Sequence, residues 1–317
     1  MSAEIAEELR KALEFDPKGL EALLPSVTYA WKAKDLTVEG CFHYVLLRDG
    51  VPCFPQLLGL MIERIPYFCL TRKDRKSFGD KFDATRDYGH IIRMQEKAKK
   101  LLIRSTGSAK TLGEPGEMLL FLLMEGMLKA PQMACKMFLK TSEEMPVHGA
   151  DGTHLKYDPA SDTITVYWGE SKLYQQLSNA LDKVCESITE FTTDKGGKTP
   201  KDRDVSILCD HMNTDDAATR DAIAKYFDPY EPQFKKMVDV YSCFVGFDFG
   251  YFEKLKKVPK AQAEAAFQKE YLDRVGEACK LFEDKIKTNN MHTLRFHFFL
   301  IPFESVEKFR ADYLAKL

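Results

Sequence analysis

The segment at 116–128, GEMLLFLLMEGML, constrains the fold most, because it is apolar around nearly the whole circumference of a helix. Pro115, directly before it, suits the first turn of a helix. A helix that is apolar on every side must be covered on several sides, whereas an amphipathic helix can lie on a surface. The sequence therefore predicts a core helix here.

Three strand patterns follow this helix. Residues 133–139 form a short apolar run behind a proline, and 153–157 and 163–168 flank the turn sequence DPASD, which predicts a hairpin. From Lys172 onward apolar residues recur at helical spacing as far as Ile188, and 205–209 (VSILC) has the pattern of a buried strand. We therefore expect the order helix, three strands, helix, strand.

Both flanks add helices and strands. Upstream, the patterns predict a strand at 41–48, a short helix at 55–65 and a longer helix at 83–102. Downstream, they predict strands near Val240 and Phe296 that extend or back the central sheet, and helices at 216–226, 260–287 and 305–316. Segment 192–204, TTDKGGKTPKDRD, has the composition of an exposed loop. The expected class is α/β (α+β).

Composition limits the partners and the location. Lys and Arg number 46 and Asp and Glu 48, so any contact with nucleic acid must be local or assisted. The eight cysteines are never closer than twelve positions, which argues against a zinc ribbon and favours reduced thiols. The chain shows neither a signal peptide nor the roughly 18 apolar residues of a membrane helix, so we expect a cytoplasmic protein without a membrane partner.

The polar residues around the hairpin indicate chemistry. Asp151 precedes its first strand, and Glu170 and Lys172, two positions apart on one strand face, close the second. Antiparallel pairing brings these ends together. Carboxylates of this kind hold Mg²⁺ or Mn²⁺, and a nearby ammonium can orient the attacking water or stabilise the charge that develops at a phosphodiester. The sequence therefore predicts a metal-and-lysine cluster.

This pattern, GAD followed by ESK on a hairpin, resembles the PD-(D/E)xK core of restriction-endonuclease-like nucleases. The resemblance implies Asp151 and Glu170 as metal ligands, with the backbone carbonyl of Ser171 as a further ligand. It also implies an acidic residue on the first core helix, which falls on Glu117, with Glu114 as the second choice. Ala150 stands where many members have proline.

Four longer segments narrow the resemblance: GEPGEMLLFLLMEGML, HGADGTH, VYWGESKLY and HFFLIPFESVEKFRADYL. Together they are similar to the HamA nuclease subunits of Hachiman antiphage defence, and the related AbpA subunits of another phage-defence pair share this domain. The resemblance implies a superfamily 2 helicase partner, HamB or its counterpart, that restrains the nuclease until aberrant DNA is sensed. It divides the chain into an N-terminal α/β extension (1–103), a nuclease core (104–210) and a C-terminal α/β extension (211–317).

We therefore expect a Mg²⁺-dependent DNA endonuclease or nickase that uses Asp151, Glu170, Lys172 and Glu117. Two alternatives stay open. A non-catalytic adaptor could dock and regulate the helicase with the same fold, and the same site could cleave RNA or tRNA, since metal-and-carboxylate chemistry does not itself distinguish the sugar.

Two further patterns have competing interpretations. His148 and His154 flank Asp151, but a histidine metal site would need a third imidazole or thiolate at ligand spacing, so hydrogen-bonded or surface histidines are favoured. Arg93, Lys97 and Lys100 fall on one helix face, which suits DNA, an acidic partner or plain solubility.

Overall fold

One mixed β-sheet organises the computed structural model, which describes residues 2–13, 16–105, 114–135, 149–194, 196–214 and 216–317, without the side chains of 2, 104, 105 and 114. The helices are α1 (Ser2–Ala12), α2 (Lys18–Leu23), α3 (Phe54–Cys69), α4 (Arg72–Thr85), α5 (Gly89–Ser105), α6 (Glu114–Gly126), α7 (Leu177–Thr192), α8 (Pro200–Asp210), α9 (Ala217–Ala224), α10 (Tyr251–Leu255), α11 (Lys260–Thr288) and α12 (Val306–Leu314), with a 3₁₀ turn at Pro232–Lys236. The strands are β1 (Ser26–Val27), β2 (Thr37–His43), β3 (Leu47–Arg48), β4 (Val51–Pro52), β5 (Gln132–Ala134), β6 (Gly152–Asp158), β7 (Thr163–Tyr174), β8 (Met237–Asp248) and β9 (Arg295–Phe303).

The sheet has the order β1-β2-β9-β8-β7-β6-β5, and β3 and β4 form a separate pair. Strands β5, β6 and β7 pair antiparallel, whereas β7, β8, β9 and β2 are parallel. The predicted hairpin is confirmed, with Gly152 opposite Gly169, and so is the extension of the sheet by the strands around Val240 and Phe296.

Helices cover both faces of the sheet. Successive residues of a strand point to opposite faces, so Trp168 on β7 packs in the layer under α7, while Leu173 packs in the layer under α6. Helices α1 and α11 complete the first layer, and α3 and α12 complete the second. Each face of the sheet therefore has its own hydrophobic core.

The core helix predicted at 116–128 is confirmed as α6. Every side chain from Met118 to Met124 is buried, because the sheet covers one side of the helix and α2 and α3 cover another. The sheet approaches the helix closely at Gly169, where a Cβ atom would lie 2.9 Å from Met124 Cε and 3.3 Å from the backbone nitrogen of Gly152. A side chain at this position would have to displace the ends of Met124 and Leu120 and crowd the β6 backbone, so glycine allows the close approach of the two layers.

The strand predicted at 205–209 is wrong, because this run lies in α8. Thr199 caps that helix: its hydroxyl accepts a hydrogen bond from the Asp202 backbone, and the Asp202 carboxylate accepts one from the Thr199 backbone. Pro200 occupies the first turn, so the second half of the predicted loop at 192–204 is helical as well. After α7 the chain forms α8 and α9 before β8, and the predicted order of helix, three strands, helix, strand is not confirmed as drawn.

Other boundaries also differ. The helix expected from Lys172 begins at Leu177, because β7 continues its parallel pairing with β8 through Tyr174. The helix expected at 83–102 is divided between α4 and α5, since Arg86 adopts a left-handed conformation (φ 56°) that ends α4. The strand expected at 41–48 is replaced by β2 and the short β3. Of the strand expected at 133–139, β5 covers the start, and 136–139 lie outside the described residues.

The helices expected at 55–65, 216–226, 260–287 and 305–316 are present, with ends shifted by a few residues. All eight cysteines lie in the described ranges and are free thiols, as predicted. None of the described helices has the length and apolarity needed to cross a bilayer.

The hairpin that carries the predicted site is anchored at its turn. The Asp162 carboxylate accepts hydrogen bonds from the Tyr157 and Tyr226 hydroxyls (2.7 and 2.5 Å) and from Lys236 (2.6 Å). The Lys236 bond, followed by the two tyrosine bonds, lowers the pKa of Asp162 to about 2. These contacts tie the turn to the segment between α9 and β8.

Candidate active site

Asp151 lies against the end of β7. Its Oδ2 accepts hydrogen bonds from both the backbone nitrogen and the hydroxyl of Ser171, each at 2.8 Å, and its own backbone nitrogen donates to Gly169 O at 2.7 Å. The carboxylate is therefore fixed by main-chain and side-chain donors on the neighbouring strand. The hairpin register, which places Gly152 opposite Gly169, brings Asp151 to this position.

Glu170 and Lys172 form an ion pair on the face of β7 that α7 covers. Their side chains are only 12% and 21% exposed, so the pair is largely removed from water. Ser187 on α7 lies near Glu170 and acts to lower its pKa. Asp151, Glu170 and Lys172, which were singled out in the sequence, are thus together at the open end of the β6–β7 hairpin.

The charges in this cluster shift one another's titration. Burial, followed by the nearby Asp151 charge, raises the pKa of Glu170 to about 7, against the opposing effect of Lys172. Burial alone would lower the pKa of Lys172, but the charges of Glu170 and Asp151 outweigh it and raise that pKa above 10.5. Lys172 is therefore an ammonium at neutral pH, and it acts as a cation and not as a base.

A buried carboxylate on α8 fixes the backbone immediately before Asp151. Asp204 on α8 is 2% exposed and accepts a hydrogen bond from the backbone nitrogen of Ala150 at 2.9 Å. Sequence reasoning missed both this residue and Ser187. Asp204 belonged to a segment interpreted as an exposed loop, and Ser187 gave no signal because only the packing of α7 on the sheet brings it to Glu170.

The remaining predicted residues have different surroundings. Glu117 is half-buried on α6, and its role as a third carboxylate stays a prediction. Among the described residues, no three His, Cys, Asp or Glu side chains are arranged to hold a metal. The side chain of Glu114 lies outside the described residues, as does His148. The carbonyl of Ser171 as a ligand stays a prediction.

His154 is a core histidine. It is fully buried, its Nδ1 lies 2.8 Å from Ala130 O, and its ring packs 6.0 Å from that of Phe121. Burial lowers its pKa to about 4, so the ring is neutral at physiological pH. His154 is thus a hydrogen-bonded histidine, which is one of the two interpretations that the sequence favoured.

The chemistry of the site fits a divalent cation. The Asp151 charge disfavours ionisation of Glu170, and a cation held between the two carboxylates would relieve that repulsion. Oxygen ligands are those that Mg²⁺ and Mn²⁺ prefer. Asp151 and Glu170 are therefore the residues that would hold the metal, with Lys172 as the adjacent fixed cation.

The raised pKa of Glu170 predicts how stability depends on pH. Without divalent metal, the folded state keeps a proton on Glu170 that the unfolded chain releases above about pH 4.5, so the Glu170 contribution to the free energy of unfolding should fall as pH rises from about 4.5 to about 7. Glu170→Gln should remove this component. Added Mg²⁺ should stabilise the wild-type protein more at pH 8 than at pH 5.5, because binding requires the ionised carboxylate.

Urea denaturation at several pH values, with EDTA or Mg²⁺, measures both effects. Glu264→Gln is the control, because the Glu264 carboxylate lies outside this site and accepts a hydrogen bond from the Tyr44 hydroxyl. A stability difference between wild type and Glu170→Gln that does not change from pH 4.5 to 8 would contradict the prediction.

The fold and the site together define an α/β protein with a paired-carboxylate and lysine cluster at the end of a hairpin. The family model HamA matches residues 27–317, nearly the whole chain, and the chain belongs to the HamA family. It is thus a component of Hachiman antiphage defence, and this membership suggests a partner within a defence complex. A comparison with curated proteins finds no match.

Proposed function

We propose that the chain is a metal-dependent nuclease that cuts or nicks DNA as the effector of its defence complex. The observation that carries this proposal is the meeting of Asp151, Glu170 and Lys172 on one hairpin, with both carboxylates held by hydrogen bonds or an ion pair. Family membership supports the defence role. The site is ordered by groups on β7, α7 and α8, as expected for a site that must hold a reacting group in one geometry.

Each residue of the cluster has a distinct role in this proposal. Asp151 and Glu170 bind the cation, which when bound polarises a phosphoryl oxygen and acidifies a water molecule. Lys172 stays protonated and stabilises negative charge on the phosphate. Ser171 holds Asp151 in place through two hydrogen bonds. Glu117 is proposed as a third carboxylate that approaches the cluster in the substrate complex.

We also propose that α6, β5, β6, β7, α7 and β8 form a restriction-endonuclease-like core. These elements occur in the order helix, three strands, helix, strand once α8 and α9 are taken as an insertion before the last strand. In support, β7 and β8 are parallel neighbours, joined by a connection that contains helices packed on the sheet.

Restraint of the nuclease by a superfamily 2 helicase partner is part of the proposal. A nuclease of low sequence specificity would damage host DNA unless metal binding or substrate access were controlled. We expect the resting complex to leave intact host DNA uncut and to cut once the helicase encounters aberrant DNA. Steady cleavage of intact plasmid by the resting complex would contradict this restraint.

The test is cleavage of plasmid DNA by the purified chain, with and without its helicase partner, in Mg²⁺, Mn²⁺ or EDTA. Wild type should nick or cut DNA only with metal, and a Glu170→Ala/Lys172→Ala double variant should not. If RNA or tRNA is cut and DNA is not, the same site has a different substrate. If no nucleic acid is cut by the free chain or by the complex with aberrant DNA, while the partner still binds, the chain is an adaptor.

A further inference from the structure

Positive charge is concentrated in one helical hairpin, formed by α4 and α5. Residues 72–105 contain 11 Lys and Arg against 5 Asp and Glu, a net charge of +6. The rest of the chain contains 35 against 43, a net charge of −8. A chain that is nearly neutral as a whole therefore carries a strongly basic element. Long-range electrostatic attraction would bring a polyanion to this element.

Helix α4 contributes little to the hydrophobic core. None of the residues of α4 is buried, although the helix is 14 residues long and is capped by Thr71, whose side chain accepts a hydrogen bond from Asp74 N. Most helices are stabilised by burying an apolar face. A well-formed helix that buries no side chain is better explained by the surface that it presents.

That surface is one wall of an open groove of 1190 Å³. Lys73, Lys76 and Lys81 of α4 line the groove together with Asp74 and Asp80. The three lysines are exposed and have no ion pair with another described residue. Across the groove lie residues 210–214 and Arg220. The basic face that the sequence suggested on α5 is partly neutralised by ion pairs, because Lys97 pairs with Asp74 (2.8 Å) and Arg93 pairs with Asp87 (3.4 Å).

The groove reaches the end of the sheet that holds Asp151. Cys135, which lines the groove, directly follows β5, and Ala134 pairs with Thr153 two residues after Asp151. Strands lie about 4.8 Å apart, so the groove begins about two strand spacings from Glu170 on β7. The groove residues 210–214 begin at the last residue of α8. Asp204 on the same helix accepts the hydrogen bond from the backbone nitrogen of Ala150.

From the charge, the groove and its position, we infer that α4 binds the sugar-phosphate backbone of the nucleic acid and leads it to the Asp151–Glu170 end of the β6–β7 hairpin. Lys73, Lys76 and Lys81 are the phosphate contacts. The inference deepens the proposed function and rests on it for the direction of the path. An acidic protein partner would also meet these lysines, but the continuity of the groove with the site end favours the substrate.

Binding of a fluorescein-labelled 30-base-pair DNA, measured by anisotropy in EDTA so that no metal-dependent cleavage occurs, tests this inference. The variant Lys73→Glu/Lys76→Glu/Lys81→Glu should bind at least about tenfold more weakly than wild type at low salt. The slope of log affinity against log salt should fall by about 3, one unit for each lost phosphate contact. Lys254→Glu/Lys256→Glu/Lys257→Glu is the matched control, because it changes the charge equally at exposed lysines outside the groove.

Wild-type affinity in the α4 variant, or an equal loss in the control, would overturn the inference. Loss of helicase binding by the α4 variant with DNA binding intact would overturn it too, and would assign the surface to the protein partner. The proposed function fails separately. If the chain binds DNA through these lysines but never cuts it, the binding surface is confirmed and the nuclease assignment is wrong. Thermal unfolding of both variants confirms that they fold.

Discussion

Glu170→Gln is expected to lower metal-dependent DNA cleavage by about 10³-fold, which corresponds to roughly 4 kcal/mol of transition-state stabilisation. The amide keeps the shape of the side chain but removes a charged metal ligand and the ion-pair partner of Lys172. It also removes the repulsion with Asp151, so the folded state should be at least as stable as wild type without metal. Single-turnover cleavage of a plasmid at saturating Mg²⁺ measures the loss.

The control for this variant is again Glu264→Gln, which removes a carboxylate that accepts a hydrogen bond from Tyr44 (2.8 Å) outside the site. It should cut at the wild-type rate. Lys172→Met should also reduce cleavage, by about 10²–10³-fold, because it removes the cation beside the phosphate. Full activity of Glu170→Gln would show that the hairpin cluster is not the catalytic site, whatever activity the chain has.

Trp168→Ala is expected to lower the free energy of unfolding by about 3–5 kcal/mol, the range for removing a large buried aromatic side chain. Trp168 is 1% exposed and packs against Phe191 with ring centroids 5.4 Å apart. Its indole donates a hydrogen bond to Asp239 at 2.7 Å, and Lys201 lies over the ring. The substitution creates a cavity two residues from Glu170 and removes a partner of a partly buried carboxylate.

Trp31→Ala is the matched control, since the chain has two tryptophans and Trp31 is only half-buried. The Trp31 indole donates to Glu283 at 2.6 Å and its ring contacts Phe42 and Phe298, so some loss is expected, but a smaller one. Urea unfolding followed by circular dichroism compares both variants without relying on tryptophan fluorescence. An equal loss in the two variants would mean that burial of Trp168 under α7 is not what stabilises β7.

Local pattern was enough to predict the centre of the fold. The apolar circumference of α6, the turn between β6 and β7, and the alternation in β8 and β9 are signals that a few residues carry by themselves. The same hairpin carries Asp151, Glu170 and Lys172, so the position of the candidate site followed from the position of the turn. Pairing of adjacent antiparallel strands needs no knowledge of the rest of the molecule.

The parts that failed depend on competing signals or on distant packing. VSILC is apolar enough for a buried strand, but the TPKD cap before it starts a helix that contains it. The Asp204 contact with Ala150 joins residues 54 positions apart, and no local pattern reports it. Helix α4 lacks the broad apolar stripe on which helix prediction depends, since Phe78 and Phe82 are its only large apolar residues and none of its residues is buried.

The glycine pair in the hairpin has a mechanical consequence. Gly152 and Gly169 stand next to Asp151 and Glu170 in the chain, and Gly169 lies directly under Met124 and Leu120 of α6. Side chains on both sides of a core contact can usually change rotamer and absorb a small movement, but at Gly169 only the helix side has side chains. A displacement of α6 toward the sheet that these two side chains do not take up would therefore press directly on the peptide groups beside the two carboxylates.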